Sequence, residues 1–276
     1  MDPKLDGLIK EGYCLFEDVL SDDLLRRLRV ASDKLLDENE TEHKDTNQGN
    51  LAFMQFQDPA FLDLITWPGA LAVLSRLGFD RPPFWSCFAI AKERGETPLY
   101  WHQDWAFWDE PEAADHMPHQ LFFMYYLTDT QVENGCLRLI PKSHRQRFDL
   151  HEHLGKGHDS DIRHTDDHRH PLFSEHSAEI DVSINAGDLV VGDARLLHSA
   201  HTNQTGERRT VLTLWYLPCY DKTSERVRAG YRERTNTAAL EELCAEDRQR
   251  IAPLVADYKG DVEPAVWNRV PGALLR

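Results

Sequence analysis

The chain has 276 residues, 41% of them hydrophobic, and carries a net charge of −16 from 31 basic and 47 acidic side chains. That is length and apolar material for one large folded domain, which excludes a disordered chain and a disulfide-stapled miniprotein. The acidic balance argues against a nucleic-acid partner and more weakly against an anionic membrane surface, yet a small anion can still be held by one local arginine.

No apolar run approaches the ~20 residues of a membrane helix. The opening MDPKLDGLIKEG has no apolar stretch of signal-peptide type. The five cysteines are odd in number, widely spaced and without a CxxC pair. These features predict a reduced, cytoplasmic protein with no membrane attachment, and nothing in the chain points to a protein partner.

Residues 1–50 read as a mainly helical N-terminal part. Ser21 suits an N-cap, Asp22 and Asp23 suit the positive end of a helix dipole, and Leu24, Leu28, Ala31 and Leu35 share one helical face. Residues 37–50 are polar and predict a loop. Residues 84–218 form the predicted core. Here short apolar stretches (FWSCFAIA, LFFMYYL, Cys136 to Ile140, LVV, TVLTLWYL) are separated by turn chemistry at Asn134-Gly135 and Ala186-Gly187-Asp188. Neither a βαβ alternation nor a glycine-rich phosphate loop is present, so an antiparallel sandwich or barrel is favoured. Residues 149–180 interrupt this pattern with seven of the fourteen histidines among many acidic residues. They predict a long solvated loop whose length makes it a candidate lid. Residues 221–276 form a C-terminal helical part, with a helix expected from Thr237 to Tyr258. The whole of 1–276 reads as a single, mostly β domain with flanking helices.

The sharpest local signal is Trp101-His102-Gln103-Asp104-Trp105. On a strand, His102 and Asp104 point to the same side, and an imidazole beside a carboxylate supplies two parts of a 2-His-1-carboxylate set for non-haem Fe(II). An isolated HxD is more often a histidine hydrogen-bonded by a carboxylate. The segment GDLVVGDARLLHSAHTNQTGERRTVLTLWYL changes that balance. A strand ends near His198, a polar loop follows, and a new strand begins near Arg209. An antiparallel pairing across this loop would set His198 and Arg209 roughly opposite each other. His198 then offers the third ligand, with His201 as its rival; three residues apart, the two cannot share a strand face. An inward Arg209 is costly unless it meets an anion, and its fork suits a carboxylate. Thr213, on the same face of that strand, is a second candidate contact on geometry alone.

These segments together resemble the phytanoyl-CoA dioxygenase family of Fe(II)- and 2-oxoglutarate-dependent oxygenases. The resemblance runs from GYCLFEDVLSDDLLRRLR through WHQD, ENGCLRLIPKSH and Gly187-Asp188 to the His198, Asn203, Arg209 spacing. It implies a double-stranded β-helix, the jelly-roll, cupin-like barrel. It implies that His102, Asp104 and His198 bind Fe(II), with His198 preferred over His201, and that Arg209 binds the distal carboxylate of 2-oxoglutarate. Ser199 and Ala200 stand where the family often has a Gly and then a small hydroxyl residue directly after the distal histidine, and Met124 stands where an aromatic is frequent.

The implied chemistry uses Fe(II), 2-oxoglutarate and O2 to hydroxylate an unactivated C–H bond of a small molecule, releasing succinate and CO2. The carboxylate of Asp104 favours hydroxylation over halogenation, with desaturation or cyclisation open on the same centre. If a loop follows Asp104, Trp105 and Trp108 become candidate substrate contacts, and an aromatic wall suits a flat apolar or cationic molecule. Two rival readings are a zinc-dependent hydrolase, which gives Arg209 no role, and a non-catalytic barrel of the same fold.

Overall fold

The computed structural model describes residues 2–39, 46–54, 56, 58–80, 82–95, 97–155, 160–235 and 240–275. Among these residues, ten strands form two antiparallel sheets. The major sheet has the order β1 (Tyr13–Phe16), β8 (Leu189–Asp193), β5 (Leu121–Tyr126), β10 (Arg209–Tyr216), β3 (Phe84–Lys92), β2 (Asn50–Phe53). The minor sheet has the order β4 (Leu99–His102), β9 (His198–Ala200), β6 (Leu137–Leu139), β7 (Ile180–Val182). Among the described residues no helix is long and apolar enough to cross a membrane.

The predicted strands are all present, and their residue pattern explains the layering. In β5, Phe122, Met124 and Tyr126 pack between the two sheets against Leu137, Leu139 and Val182 of the minor sheet. Leu121, Phe123 and Tyr125 alternate with them and join the helices that cover the outer side of the major sheet. Both faces are therefore buried, and the strand reads as an uninterrupted apolar run rather than an alternation. Each such side chain contributes roughly 1.5–3 kcal/mol on burial.

The covering helices are α1 (Pro3–Glu11), α2 (Asp22–Asp37), α3 (Pro59–Ile65) and α4 (Pro68–Arg76). Ser21 caps α2 by accepting from the Leu24 amide at 3.3 Å, and Leu24, Leu28 and Ala31 are buried as their spacing predicts. Gly187 holds φ at +94°, which only glycine adopts without strain, and its amide donates to the Tyr126 carbonyl. Asp188 beside it accepts from the Asp18 amide at 2.9 Å and so ties the N-terminal part to the barrel.

Three expectations are corrected. His198 and Arg209 are not partners across a hairpin: β9 lies in the minor sheet, and β10 lies in the major sheet between β3 and β5. The loop between them crosses from one sheet of the jelly roll to the other. Residues 149–180 are not merely solvated, because Leu150, Leu154, Leu172 and Phe173 pack on Tyr100, Trp101, Ile140 and Leu197. Their short helix α5 (Ser160–His164) carries part of a cavity wall, while His158 lies outside the described residues. The helix expected from Thr237 to Tyr258 is shorter than predicted, and a further helix precedes it. α6 (Glu225–Arg234) lies before that range, α7 (Ala245–Ile251) lies within it, and the described chain beyond Val255 has no regular structure. Thr237 to Ala239 lie outside the described residues.

Candidate metal centre and active site

His102 is the last residue of β4 and His198 the first of β9, and the two are register partners. Their rings are 4.0 Å apart between centroids. Each Nδ1 lies 3.0 Å from a backbone carbonyl two residues back, Tyr100 for His102 and Leu196 for His198. A carbonyl only accepts, so each Nδ1 carries the proton and each Nε2 presents a lone pair. The two Nε2 atoms converge on Asp104, at 3.9 Å from Oδ1 for His102 and 3.8 Å from Oδ2 for His198. The three ligand atoms lie within 4.8 Å of one another and all three residues are buried. Two imidazoles and one carboxylate on one side of a cavity form a donor set that fits a non-haem Fe(II) ion.

Asp104 is beyond the end of β4, so strand geometry does not aim it. Its amide and that of Trp105 both donate to the Ala194 carbonyl at 2.8 Å. The indole Nε1 of Trp215 donates to Asp104 Oδ2 at 2.8 Å. Ala194 belongs to a turn locked by a buried ion pair, Arg195 to Asp193 at 2.7 Å. Arg195 also donates to the Ala113 and Asp115 carbonyls, and its own carbonyl accepts from Gln103. Burial pushes the Asp193 carboxyl up, but the charge and hydrogen bonds of Arg195 outweigh it and hold it below the ordinary carboxylate range. The pair Asp193 and Arg195 escaped sequence reasoning; the only signal was two opposite charges inside an otherwise apolar strand end.

A cavity of about 260 Å³ opens from His102, Asp104 and His198 into the space between the sheets. Arg209, Lys92, Thr213, Met124, Tyr126 and Leu137 are among its walls. Arg209 and Lys92 are register partners on β10 and β3 and are both buried, so two cations stand together there. The Arg209 guanidinium lies over the Tyr126 ring at 5.8 Å from its centroid. The Thr213 hydroxyl is buried and has no hydrogen-bond partner among the described residues. Lys92 was not foreseen, since a lysine ending an apolar strand reads as a surface residue.

A second cavity of about 270 Å³ shares His102 and Arg269 with the first. Its other walls include Tyr100, Trp101, His153, Leu154, Asp161, Asp167 and His170. Arg269 comes from the irregular C-terminal tail, stacks on Trp267 at 5.3 Å and donates a long bond of 3.4 Å to the Gln103 carbonyl. Burial disfavours its charge, and the nearby Asp104 carboxylate supports it. No sequence signal marked Arg269, because its position depends on a tail without regular structure.

The structure separates the other expected residues. Trp105 and Trp108 are fully buried in a cluster with Phe107, Val227 and Tyr231, and neither lines the two cavities. A loop does follow Asp104, but it turns these indoles toward α6 rather than into open space. His201 points away from His102 and Asp104, with its Nε2 2.6 Å from Asp181 Oδ1.

The family model described as phytanoyl-CoA dioxygenase (PhyH) matches residues 9–211, a span that holds His102, Asp104, His198 and Arg209. Among solved structures, the chain resembles the non-heme alpha ketoglutarate dependent carbocyclase SnoK from nogalamycin biosynthesis, at 21% identity and TM-score 0.60, over 79% of this chain and 84% of that one. It resembles EctD from S. alaskensis with 2-oxoglutarate and 5-hydroxyectoine at 21% identity and TM-score 0.58, over 79% and 76% of the two chains. It resembles the non-heme alpha ketoglutarate dependent epimerase SnoN from the same nogalamycin biosynthesis at 21% identity and TM-score 0.57, over 78% and 82%. These likenesses show the jelly-roll fold; a search of curated proteins finds no significant match. With the family model covering most of the chain, this protein belongs to the phytanoyl-CoA dioxygenase family of Fe(II)- and 2-oxoglutarate-dependent oxygenases.

Proposed function

We propose that this protein hydroxylates a C–H bond of a small molecule, with His102, Asp104 and His198 holding Fe(II) and Arg209 holding 2-oxoglutarate. The observation that carries the reading is the convergence of two carbonyl-anchored imidazoles on one buried carboxylate, beside a cavity whose walls include two buried cations. When bound, iron and 2-oxoglutarate supply the oxidation by O2, with succinate and CO2 as the co-products.

The protein's own part is ligation, orientation and exclusion of water. The carbonyls of Tyr100 and Leu196 fix the tautomers of His102 and His198, so both Nε2 atoms face the metal position. Trp215 holds Asp104 by one oxygen, which limits rotation of the carboxylate. Arg209 and Lys92 neutralise the distal carboxylate of the cosubstrate, and the Thr213 hydroxyl donates to it. Burial makes each of these charge contacts stronger than in water.

The second cavity receives the substrate next to His102. Its volume of about 270 Å³ takes a metabolite-sized molecule and does not enclose an acyl-CoA. Tyr100 and Trp101 give it an aromatic floor, and Asp161 and Asp167 favour a cationic or hydroxylated group. Trp105 and Trp108 act from behind this wall, packing near Trp267, on which Arg269 stacks. The similar structures include an epimerase and a carbocyclase, so the same centre is compatible with more than one outcome for the substrate radical.

The test is anaerobic addition of Fe(II) and 2-oxoglutarate, followed by oxygen. A weak visible charge-transfer band, then slow succinate formation without added substrate, is the expected result. Neither a band nor succinate, with 2-oxoglutarate leaving the melting temperature unchanged, would move the reading to a barrel without oxygenase activity.

A further inference from the structure

On the minor sheet, three side chains that line neither of the two cavities converge from three adjacent strand segments. Cys136 immediately precedes β6, Asp181 lies in β7, and His201 immediately follows β9. One ligand atom from each lies within 4.8 Å of the other two. The backbone sets this meeting: the His201 amide donates to the Cys136 carbonyl at 3.0 Å, and β6 pairs with both β7 and β9. Gly135, at φ +87°, lets the chain turn into Cys136; a Cβ there would stand 2.9 Å from the His201 carbonyl oxygen. The sulfur is on the buried side, while the His201 and Asp181 side chains are 18% and 43% exposed. The side opposite the sulfur is therefore open to water.

We propose that Cys136, Asp181 and His201 form a second metal site, which takes Zn(II) or a similar borderline-soft divalent ion, with water as the fourth ligand. One thiolate, one imidazole and one carboxylate suit zinc, whereas the sulfur-free set around Asp104 suits Fe(II). Bond lengths of about 2.0–2.3 Å around a tetrahedral ion place ligand atoms roughly 3.3–3.6 Å apart. The His201 to Asp181 hydrogen bond of 2.6 Å must open slightly and the sulfur must approach, so small side-chain shifts suffice. Burial, reinforced by Asp181, pushes the Cys136 thiol up to about 11, so the metal must displace its proton to solvent. A bound ion would tie β7, the edge strand of the minor sheet, to β6 and β9. Since β9 opens with His198, the ion would brace β7 and the strand that carries His198 together.

Co(II) titration of the full chain, preloaded with Fe(II) and 2-oxoglutarate without oxygen, tests this. A thiolate-to-Co(II) charge-transfer band in the near ultraviolet is expected to saturate at one equivalent and to be displaced by Zn(II). Cys136→Ser should abolish it. Partners outside the coordination sphere alone are worth roughly 10–100-fold in metal affinity, so His201→Asn, a change at a partly exposed side chain, should raise the Co(II) Kd at least roughly tenfold. Cys244→Ser, at an exposed thiol beside Asp247, should leave the band intact. No band in the wild-type protein, a band that survives Cys136→Ser, or an unchanged Kd in His201→Asn would each overturn the site. Should Cys136→Ser not fold, His201→Asn and Asp181→Asn decide it.

Discussion

His102 and His198 stand directly opposite each other on neighbouring antiparallel strands, although 96 positions separate them in the chain (198 − 102). One backbone pairing therefore sets both imidazoles at once. Removing either side chain leaves the other anchored to its carbonyl. His102→Ala and His198→Ala are each expected to abolish tight Fe(II) binding and turnover while leaving the fold intact. His201→Ala should leave Fe(II) binding largely unchanged. Metal analysis after gel filtration checks all three, and iron lost only from His201→Ala would reverse the assignment.

Arg209→Lys keeps a positive charge but gives up the paired fork. Affinity for 2-oxoglutarate should fall by roughly 1.5–3 kcal/mol, the range for a charge-assisted hydrogen bond. That is about 10- to 150-fold, since each ~1.4 kcal/mol is tenfold. Anaerobic titration of the Fe(II) protein measures it, with melting of the metal-free protein alongside. Unchanged affinity with a lowered melting temperature would leave Arg209 a structural role only.

Trp215→Phe retains the aromatic packing and removes the 2.8 Å bond to Asp104 Oδ2. The carboxylate is then free to rotate. Second-layer partners of metal ligands are typically worth about 10–100-fold in metal affinity, and a loss of Fe(II) affinity in that range is expected. Equilibrium dialysis would show it, and full wild-type affinity would remove Trp215 from the metal site.

The Asp193 and Arg195 pair bears on acid stability. Asp193→Asn leaves a buried guanidinium without its counter-charge, and a loss of ~3–5 kcal/mol is expected near neutral pH. The folded-state pKa of Asp193 is depressed. Its contribution is therefore complete above the unfolded value of about 3.9 and disappears as pH falls through the lower folded value. Melting temperatures of wild type and Asp193→Asn should differ most at neutral pH and converge on acidification. A gap that stays constant with pH would show that the pair is not what links stability to the proton.

The sequence by itself determined the residue types and their spacing: WHQD, His198 with Arg209 eleven residues on, and apolar runs of strand length. Those are local properties, because side-chain chemistry and strand propensity do not depend on the rest of the chain. The tertiary structure decided which side chains meet. Arg209 follows His198 closely in sequence yet stands in the other sheet, since the connection from β9 to β10 crosses between the two sheets of the jelly roll. Lys92 joins Arg209 through strand register, and Arg269 reaches the site on a tail with no periodicity to read. Trp105 and Trp108 looked like substrate contacts, and α6 with the C-terminal tail claimed them for a core. In each case the deciding term is burial against residues far away in the chain, and no pattern within a single segment encodes it.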